Sequence, residues 1–379
     1  MTTQIPLTLY IHIPWCVRKC PYCDFNSHAM KTDSLPEVKY ISVLLNDLKQ
    51  ALPYVENRTI QSIFIGGGTP SLFSPNSIDK LLNELAKKLI LKKDIEITLE
   101  ANPGTVEQQR FVGFKKAGIN RLSLGIQSFH PMHLKTLGRI HNDDEAKQAI
   151  KAARLAGFDN FNLDLMFGLP KQTIQEGIRD LQIALEFQPK HISWYQLTLE
   201  PNTLFYQKPP PLPNEEEIWQ LQQKGWELLH THGFKQYEIS AYSLSHYQCV
   251  HNNNYWEFGD YLGIGAGAHA KITHADGSIH RYWKIKHPKE YLNQEKDYIA
   301  GTKEITSKEL PLEFMLNALR LQKPISYSLF ETRTGLPIST IQKTLQQAAS
   351  HDLLILTNNH FQPSSKGYHF LNDLLEFFL

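Results

Sequence analysis

The sequence predicts an α/β protein: a partial (β/α)6, TIM-like barrel followed by a small C-terminal winged-helix-like domain. Three observations predict it. Six short β-like runs alternate with amphipathic helical stretches over the first two-thirds of the 379 residues, and such alternation requires parallel strands joined by crossovers. The pattern changes after Thr302 to short helices and a turn. The length itself suits one large domain plus a smaller one. The expected division is 1–235 for the barrel, 236–302 for a connecting region and 303–379 for the last domain.

The runs Thr8–Ile13, Ser62–Ile65, Ile95–Glu100, Arg121–Gly125, Asn160–Met166 and His191–Leu197 read as strands. Between them, Val38–Leu52, Ile78–Leu91, Glu107–Ala117, Asp144–Ala156 and Thr173–Phe187 carry apolar residues at helical spacing. Six units suit a partial barrel better than a doubly wound sheet, although periodicity alone does not decide between them. Either way the chemistry belongs at the C-terminal strand ends. Tyr206 to Glu217 reads as a proline-rich loop whose acidic trio precedes a helix at Ile218–His230. Beyond Thr302 the helices Leu310–Leu321, Ile325–Thr332 and Ile338–Ser350 lead to a strand at Leu353–Leu356, a turn at Asn358–Asn359, and Phe361.

Composition narrows the function classes. Hydrophobic residues make up 41% and charged residues 20%, the balance of a soluble globular chain. Lys plus Arg is 39 against 38 for Asp plus Glu, so the net charge of +1 gives no general pull toward nucleic acid, and the tail has no basic recognition stripe. The N-terminus lacks a basic, then apolar, signal-peptide pattern, and no window reaches the ~20 apolar residues of a membrane span. The expectation is a cytoplasmic protein with at most peripheral membrane contact.

Three of four cysteines, Cys16, Cys20 and Cys23, fall within eight residues, and Cys249 stands apart. Three thiolates from one loop hold three irons of a cubane and leave the fourth iron open, as a catalytic metal position is left open. Arg18 and Lys19 favour ionised thiols. Zinc is the alternative, but C-x3-C is unusual for zinc and no fourth ligand sits nearby. Gly66-Gly67-Gly68-Thr69-Pro70 follows the second strand; without G-K-[ST] it is not a phosphate loop. Glycine there allows close backbone approach to a ligand.

The C-x3-C-x2-C loop after the first strand, with Tyr22 before its last cysteine, resembles the signature of the radical SAM family. That resemblance implies a [4Fe–4S] cluster whose open iron is chelated by S-adenosylmethionine. LYIHIPWC, GGGTPS, LEANP, LSLGIQSF, LGRIH and LDLMFGLP, spread over nearly the whole chain, narrow it to the branch containing oxygen-independent coproporphyrinogen III oxidase. Position by position, the resemblance implies that Tyr10, Tyr22, Gly67, Gly68, Thr69, Glu100, Gln127, Arg139 and Asp164 line the cofactor. The chemistry agrees: Glu100 and Asp164 end strands where they could accept from ammonium or ribose hydroxyls, and Arg139 could pair a carboxylate. For Gln127 alone, an ordinary structural amide is the better reading.

Two departures separate the chain from the oxidase. The oxidase has a further cysteine where this sequence has Phe25, and it has a longer N-terminal extension. A third feature, His251-Asn252-Asn253-Asn254-Tyr255-Trp256, is similar to H-N-x-x-Y-W, the heme-binding signature of the HemW heme-chaperone family. His251 is then the heme ligand, flanked by Tyr255 and Trp256 as porphyrin faces. Cys249 is an alternative soft ligand, or a small buried residue. Gly263–His269 reads as a close-packed backbone turn. The expectation is a chaperone that binds heme and hands it to apo-proteins, those of the respiratory chain among them, with the cluster and adenosylmethionine setting conformation or oligomeric state; self-association is left open. The alternative is a radical SAM coproporphyrinogen III dehydrogenase.

Overall fold

The computed structural model describes residues 5–31, 34–104, 108–294 and 297–379. Glu107, expected to open the third helix, and residues 1–4 lie outside the described residues. Six parallel strands form the centre: β1 (Leu7–Ile13), β2 (Ile60–Gly67), β3 (Leu91–Ala101), β4 (Arg121–Gln127), β5 (Phe161–Phe167) and β6 (His191–Gln196). The crossovers are α1 (Glu37–Ala51), α2 (Pro75–Lys88), α3 (Gln108–Lys116), α4 (Asp143–Leu155) and α5 (Ile174–Glu186). This is the six-unit partial barrel that the alternation predicts.

The sheet does not stop there. The expected connecting region, 236–302, and the residues just flanking it supply six more strands to it: β7 (Lys235–Glu238), β8 (Ala241–Ser243), β9 (Asp260–Ile264), β10 (His269–Thr273), β11 (Ile279–Lys284) and β12 (Ile299–Glu304). The twelve strands run in the order β12-β11-β10-β9-β1-β2-β3-β4-β5-β6-β8-β7. β9 lies parallel to β1, and the outer strands on both flanks are antiparallel.

Each central strand buries two chemistries. Leu7, Leu9, Ile11, Ile63, Ile65, Leu99, Leu122, Leu124, Leu163 and Ile192 join the helices in one large core. Most of the alternate positions are polar and bond one another inside the barrel. Asn162 donates to Ser123 Oγ at 2.8 Å and to Asp164 Oδ1 at 2.7 Å, and His191 is held between Asn162 and the Tyr237 hydroxyl. The lumen is a hydrogen-bonded network, so the period-2 alternation separates helix-facing from lumen-facing groups.

Helix starts follow local capping. Thr173 and Glu176 form a capping box at α5, as Asn142 and Glu145 do at α4. The helix α6 (Glu215–Thr231) begins three residues before the expected Ile218, because Asn214 caps it and its acidic trio forms the first turn. Thr203 caps a short helix, Leu204–Gln207, which runs into the start of the expected loop at Tyr206. After α7 (Val250–Trp256), a second core gathers Phe258, Phe314, Phe330, Leu345, Leu354, Phe361 and Leu374 around the three-stranded sheet of the C-terminal region. Ile325–Ser326, expected as helix, is a strand of that sheet, since Ser326 caps the helix that follows.

Two buried carboxylates fasten the added strands to the barrel. Asp260 takes Arg58 Nη1 at 2.6 Å and Lys271 Nζ at 2.8 Å, all three side chains 5% exposed or less. Asp47 on α1 takes Lys284 Nζ at 2.5 Å and the Tyr291 hydroxyl at 2.7 Å. Removing one member of such a cluster strands the opposite charge in the interior. Asp260→Ala is therefore expected to lower unfolding stability by about 3–5 kcal/mol, measured by denaturant melts. A loss below about 0.5 kcal/mol, the surface-substitution range, would show that the cluster carries no such strain.

Candidate functional site

The cysteine loop is closed by backbone pairing. Trp15–Cys16 runs beside His28–Ala29, with His28 N donating to Pro14 O at 2.7 Å and Met30 N to Cys16 O at 2.9 Å. Its far side is anchored by Asn26, whose Nδ2 donates to the carbonyls of Ala266 and Lys286, each at 2.9 Å. His12 completes the seam: its Nε2 donates to Asn26 O at 2.9 Å, while Tyr10 donates to its Nδ1 at 2.9 Å. Gly265 and Gly267, at φ +107° and +79°, make the turn that receives this loop. A Cβ on Gly265 would sit 2.4 Å from His12 O, and one on Gly267 2.2 Å from Asn26 Nδ2.

All three loop thiols are free and half-buried, and each lies beside a polar side chain. Thr69 Oγ1 lies 3.5 Å from Cys16 Sγ, Ser27 Oγ 3.7 Å from Cys23 Sγ, and Arg139 Nη1 3.8 Å from Cys20 Sγ. Burial pushes the Cys16 and Cys23 thiols up, so a metal binding there would have to drive their deprotonation. The donor set fits a three-thiolate cluster site: soft ligands, polar hydrogens aimed at sulfur, and buried Cys249 far from the loop, beside Glu96.

A cavity of about 740 Å³ opens beneath that loop, large enough for a cofactor of nucleoside size. Eight of the nine expected cofactor residues line it: Tyr22, Gly67, Gly68, Thr69, Glu100, Gln127, Arg139 and Asp164. Tyr10 does not; its ring packs on Phe64 and His251 deeper in the lumen. Gln127, read as an ordinary amide, holds φ +69° and accepts from Tyr195 at 2.8 Å, a strained residue on the cavity wall. The glycines are required by protein as much as by ligand. A Cβ on Gly67 would strike the His12 ring at 2.6 Å, and one on Gly68 the Trp15 carbonyl at 2.4 Å. Arg139 Nη2 is spent on Asn102 Oδ1 at 2.5 Å and Gly125 O at 2.7 Å, which leaves less of the guanidinium for a ligand carboxylate than expected.

Electrostatics mark the middle of the cavity. Burial and the neighbouring Asp164 charge push Glu100 up to about 7, although Gly67 N donates to it at 3.0 Å. Burial likewise raises Asp164, against hydrogen bonds from Asn162 and Ser123. Two like carboxylates buried together select a cationic ligand. Sequence reasoning missed Asn102, Ser123, Ser193, Tyr195 and Arg320, all on the wall. Asn102 stands in the LEANP segment and donates to Thr69 Oγ1 at 2.8 Å; period-2 counting along β4 and β6 finds Ser123, Ser193 and Tyr195. Arg320 carries no sequence signal.

The expected heme residues do not share one surface. His251 is 8% exposed, its Nδ1 3.4 Å from Ser62 Oγ and its ring against Phe64, and burial lowers it to about 3. Trp256 faces the cavity instead, with Asn252, and carries the Arg320 guanidinium 4.4 Å above its ring. Five residues along a helix is a turn of roughly 140° from the starting face, so His251 and Trp256 diverge. Tyr255 packs edge-on against Trp256 and beside Tyr261.

Comparison with known proteins agrees with this fold. Residues 10–182 match the radical SAM superfamily and 305–370 the HemN C-terminal domain. The chain is 51% identical to heme chaperone HemW of Haemophilus influenzae and 48% identical to that of Escherichia coli, each covering 99% of this chain and 98% of the relative. A mouse protein named radical S-adenosyl methionine domain-containing protein 1, mitochondrial, is 32% identical over 97% of this chain and 86% of its own. The solved coproporphyrinogen III oxidase HemN of Escherichia coli, described as a radical SAM enzyme, shares the fold with a TM-score of 0.83 at 22% identity, covering 99% of this chain and 90% of its own. The fold implies a [4Fe–4S] cluster and S-adenosylmethionine, and among the described residues no helix is long and apolar enough to cross a membrane.

Two outcomes check the site. Cys16→Ser, Cys20→Ser and Cys23→Ser should each abolish iron–sulfur absorbance after anaerobic reconstitution, and Gly68→Ala should reduce it by displacing Trp15; Cys249→Ser should leave it intact. A cluster that needs Cys249 overturns the ligand set. The second outcome concerns pH. The folded state holds the Glu100 proton between about 4.3 and about 7, so Glu100 withdraws stability as pH rises through that window. A cation at the carboxylate reverses this. Adenosylmethionine affinity should therefore fall by up to about tenfold per pH unit below neutrality, and Glu100→Gln should flatten the profile. Affinity in the wild type that is flat across the same range would remove Glu100 from contact with the charge.

Proposed function

Because the chain belongs to the HemW family of radical SAM proteins, we propose that it is a heme chaperone, which binds one heme and passes it to acceptor proteins. In this reading Cys16, Cys20 and Cys23 hold the cluster, and Glu100, Asp164, Thr69 and the Gly67–Gly68 backbone receive the charged end of adenosylmethionine. When bound, the pair supplies a one-electron reductant beside a sulfonium. What the chain's own residues do is hold that pair away from solvent: Tyr22 covers the loop side, and the Asn102–Thr69 hydrogen bond aligns a donor on Cys16.

The observation that carries the reading is the part of the same cavity wall where Trp256 and Arg320 stack. An indole with a guanidinium beside it offers a flat apolar plate and a cation, the two features a porphyrin with propionates requires, although a propionate would have to compete with Glu238, which takes Arg320 Nη2 at 3.2 Å. His251 is proposed as the axial ligand. Its neutral imidazole is the ligating form, and because Ser62, Tyr10 and Phe64 enclose it, iron reaches it only when α7 moves outward from β1 and β2. Acceptors of the respiratory chain, a cytoplasmic location and control of self-association by the cluster belong to the same reading. Porphyrinogen oxidation is disfavoured by Phe25, 62% exposed where the oxidase carries a further cysteine.

Heme-loaded protein should reconstitute an apo-acceptor without consuming coproporphyrinogen III. His251→Ala should change the Soret band and stop transfer, since axial identity sets the iron's electronic state. Trp256→Ala should weaken binding by about 1–3 kcal/mol through lost stacking, with the ligation spectrum unchanged. A His251 variant with a normal Soret band and normal transfer removes His251 from the iron. Turnover of coproporphyrinogen III by the wild type overturns the carrier reading.

A further inference from the structure

Outside the cavity, the segment leaving β4 brings two imidazoles against one carboxylate. His130 precedes the short helix Pro131–Thr136, His133 lies on that helix, and Glu176 stands in the first turn of α5. His130 Nε2 is 3.4 Å from Glu176 Oε1, and His133 Nε2 is 3.4 Å from Glu176 Oε2. The three ligand atoms all lie within 4.8 Å of one another. None of the three residues lines the cavity.

The spacing distinguishes two kinds of contact. A hydrogen bond between these groups would close to about 2.7–3.2 Å. A separation of 3.4 Å instead matches the edge of a tetrahedron with bonds of about 2.0–2.1 Å, the zinc–imidazole length. His133 is 5% exposed, yet its Nε2 has no hydrogen-bond partner. The carboxylate is already oriented, since Thr173 N and Oγ1 donate to its Oε2 at 2.8 and 2.9 Å. Ligating groups in metal sites are held by such outer bonds. His130 is 38% exposed, which leaves a path for the ion and a position for water.

We propose that His130, His133 and Glu176 bind a divalent transition-metal cation of the zinc type, as a second metal site separate from the cysteine loop. Two imidazoles and a carboxylate suit such a cation better than calcium or magnesium, which prefer all-oxygen shells, and better than soft monovalent copper. The site joins the segment after β4 to α5. That same segment ends in Gly138, against Pro21, and Arg139, beside Cys20. The cation therefore fixes one wall of the cluster loop from outside.

The test uses full-length protein with its cluster reconstituted anaerobically, titrated with Co2+ as the spectroscopic probe. The expected result is one equivalent of Co2+ with intense tetrahedral d–d absorption, no thiolate charge-transfer band, and displacement by Zn2+. His130→Gln and Glu176→Gln should each weaken binding by about tenfold or more. Both should fold: His130 is half-exposed, and glutamine serves as well as glutamate in a capping box. Zn2+ should raise the Tm of the wild type and leave that of the double variant unchanged. The proposal is overturned by absence of saturable Co2+ uptake, by a thiolate band accompanying it, or by uptake that survives in the double variant.

Discussion

The site depends on one seam, where His12, Asn26 and the Gly265–Gly267 turn meet. Three thiolates can share a cluster only if the loop carrying them is held in one shape, and fixing a loop costs conformational entropy at every residue. Here that cost is offset by backbone bonds on both flanks of the loop and by Asn26 reaching two carbonyls of the β9–β11 region. Tyr40 adds a bridge, donating to His12 O at 2.7 Å and accepting from Ala266 N at 3.0 Å. The glycines late in the chain are thus part of the foundation of a motif near its start. The added strands matter for the same reason, because Asp260 and Asp47 lock β9, β10 and β11 to the barrel that the turn must face.

Much of this was legible in sequence. The six central strands declared themselves through β-like runs at regular spacing, and the cysteine loop through its spacing alone. The outer strands did not, for a physical reason. Flanking antiparallel strands such as Ile299–Glu304 are mostly solvent-exposed and carry no apolar stripe, while Lys271 and Lys284 are buried charges whose partners lie more than ten residues away, on β9 and on α1. The start of α6 was readable from Asn214 and Glu217, a capping pair that the neighbouring prolines obscured. The heme motif shows the limit of adjacency. His251 and Trp256 are neighbours in a six-residue pattern, but the helical turn sends one into the lumen and the other to the cavity wall. Arg320 reaches that wall from the far C-terminal region, and only tertiary structure could place it there.

The lumen itself is a compromise. A barrel filled with leucine and isoleucine would be more stable than one holding Glu100, Asp164, Asn162, Ser123 and His191. Short hydrogen bonds pair most of the polar groups there, but Thr98 Oγ1 and Arg121 Nε have no hydrogen-bond partner, and the two carboxylates remain mutually repelling. Such a residual conflict is what a site keeps when a charged ligand is meant to resolve it.

The pairing of Trp15–Cys16 with His28–Ala29 has a consequence for life in air. Cubanes exposed to oxygen shed iron, and a loop shaped only by its metal would then lose its form. This clasp is made of peptide groups and uses no sulfur atom, so both ends of the loop stay in register whatever the state of the thiols. Repair then calls for iron, sulfide and a reductant, with no refolding of the barrel. Damage is confined to one replaceable part.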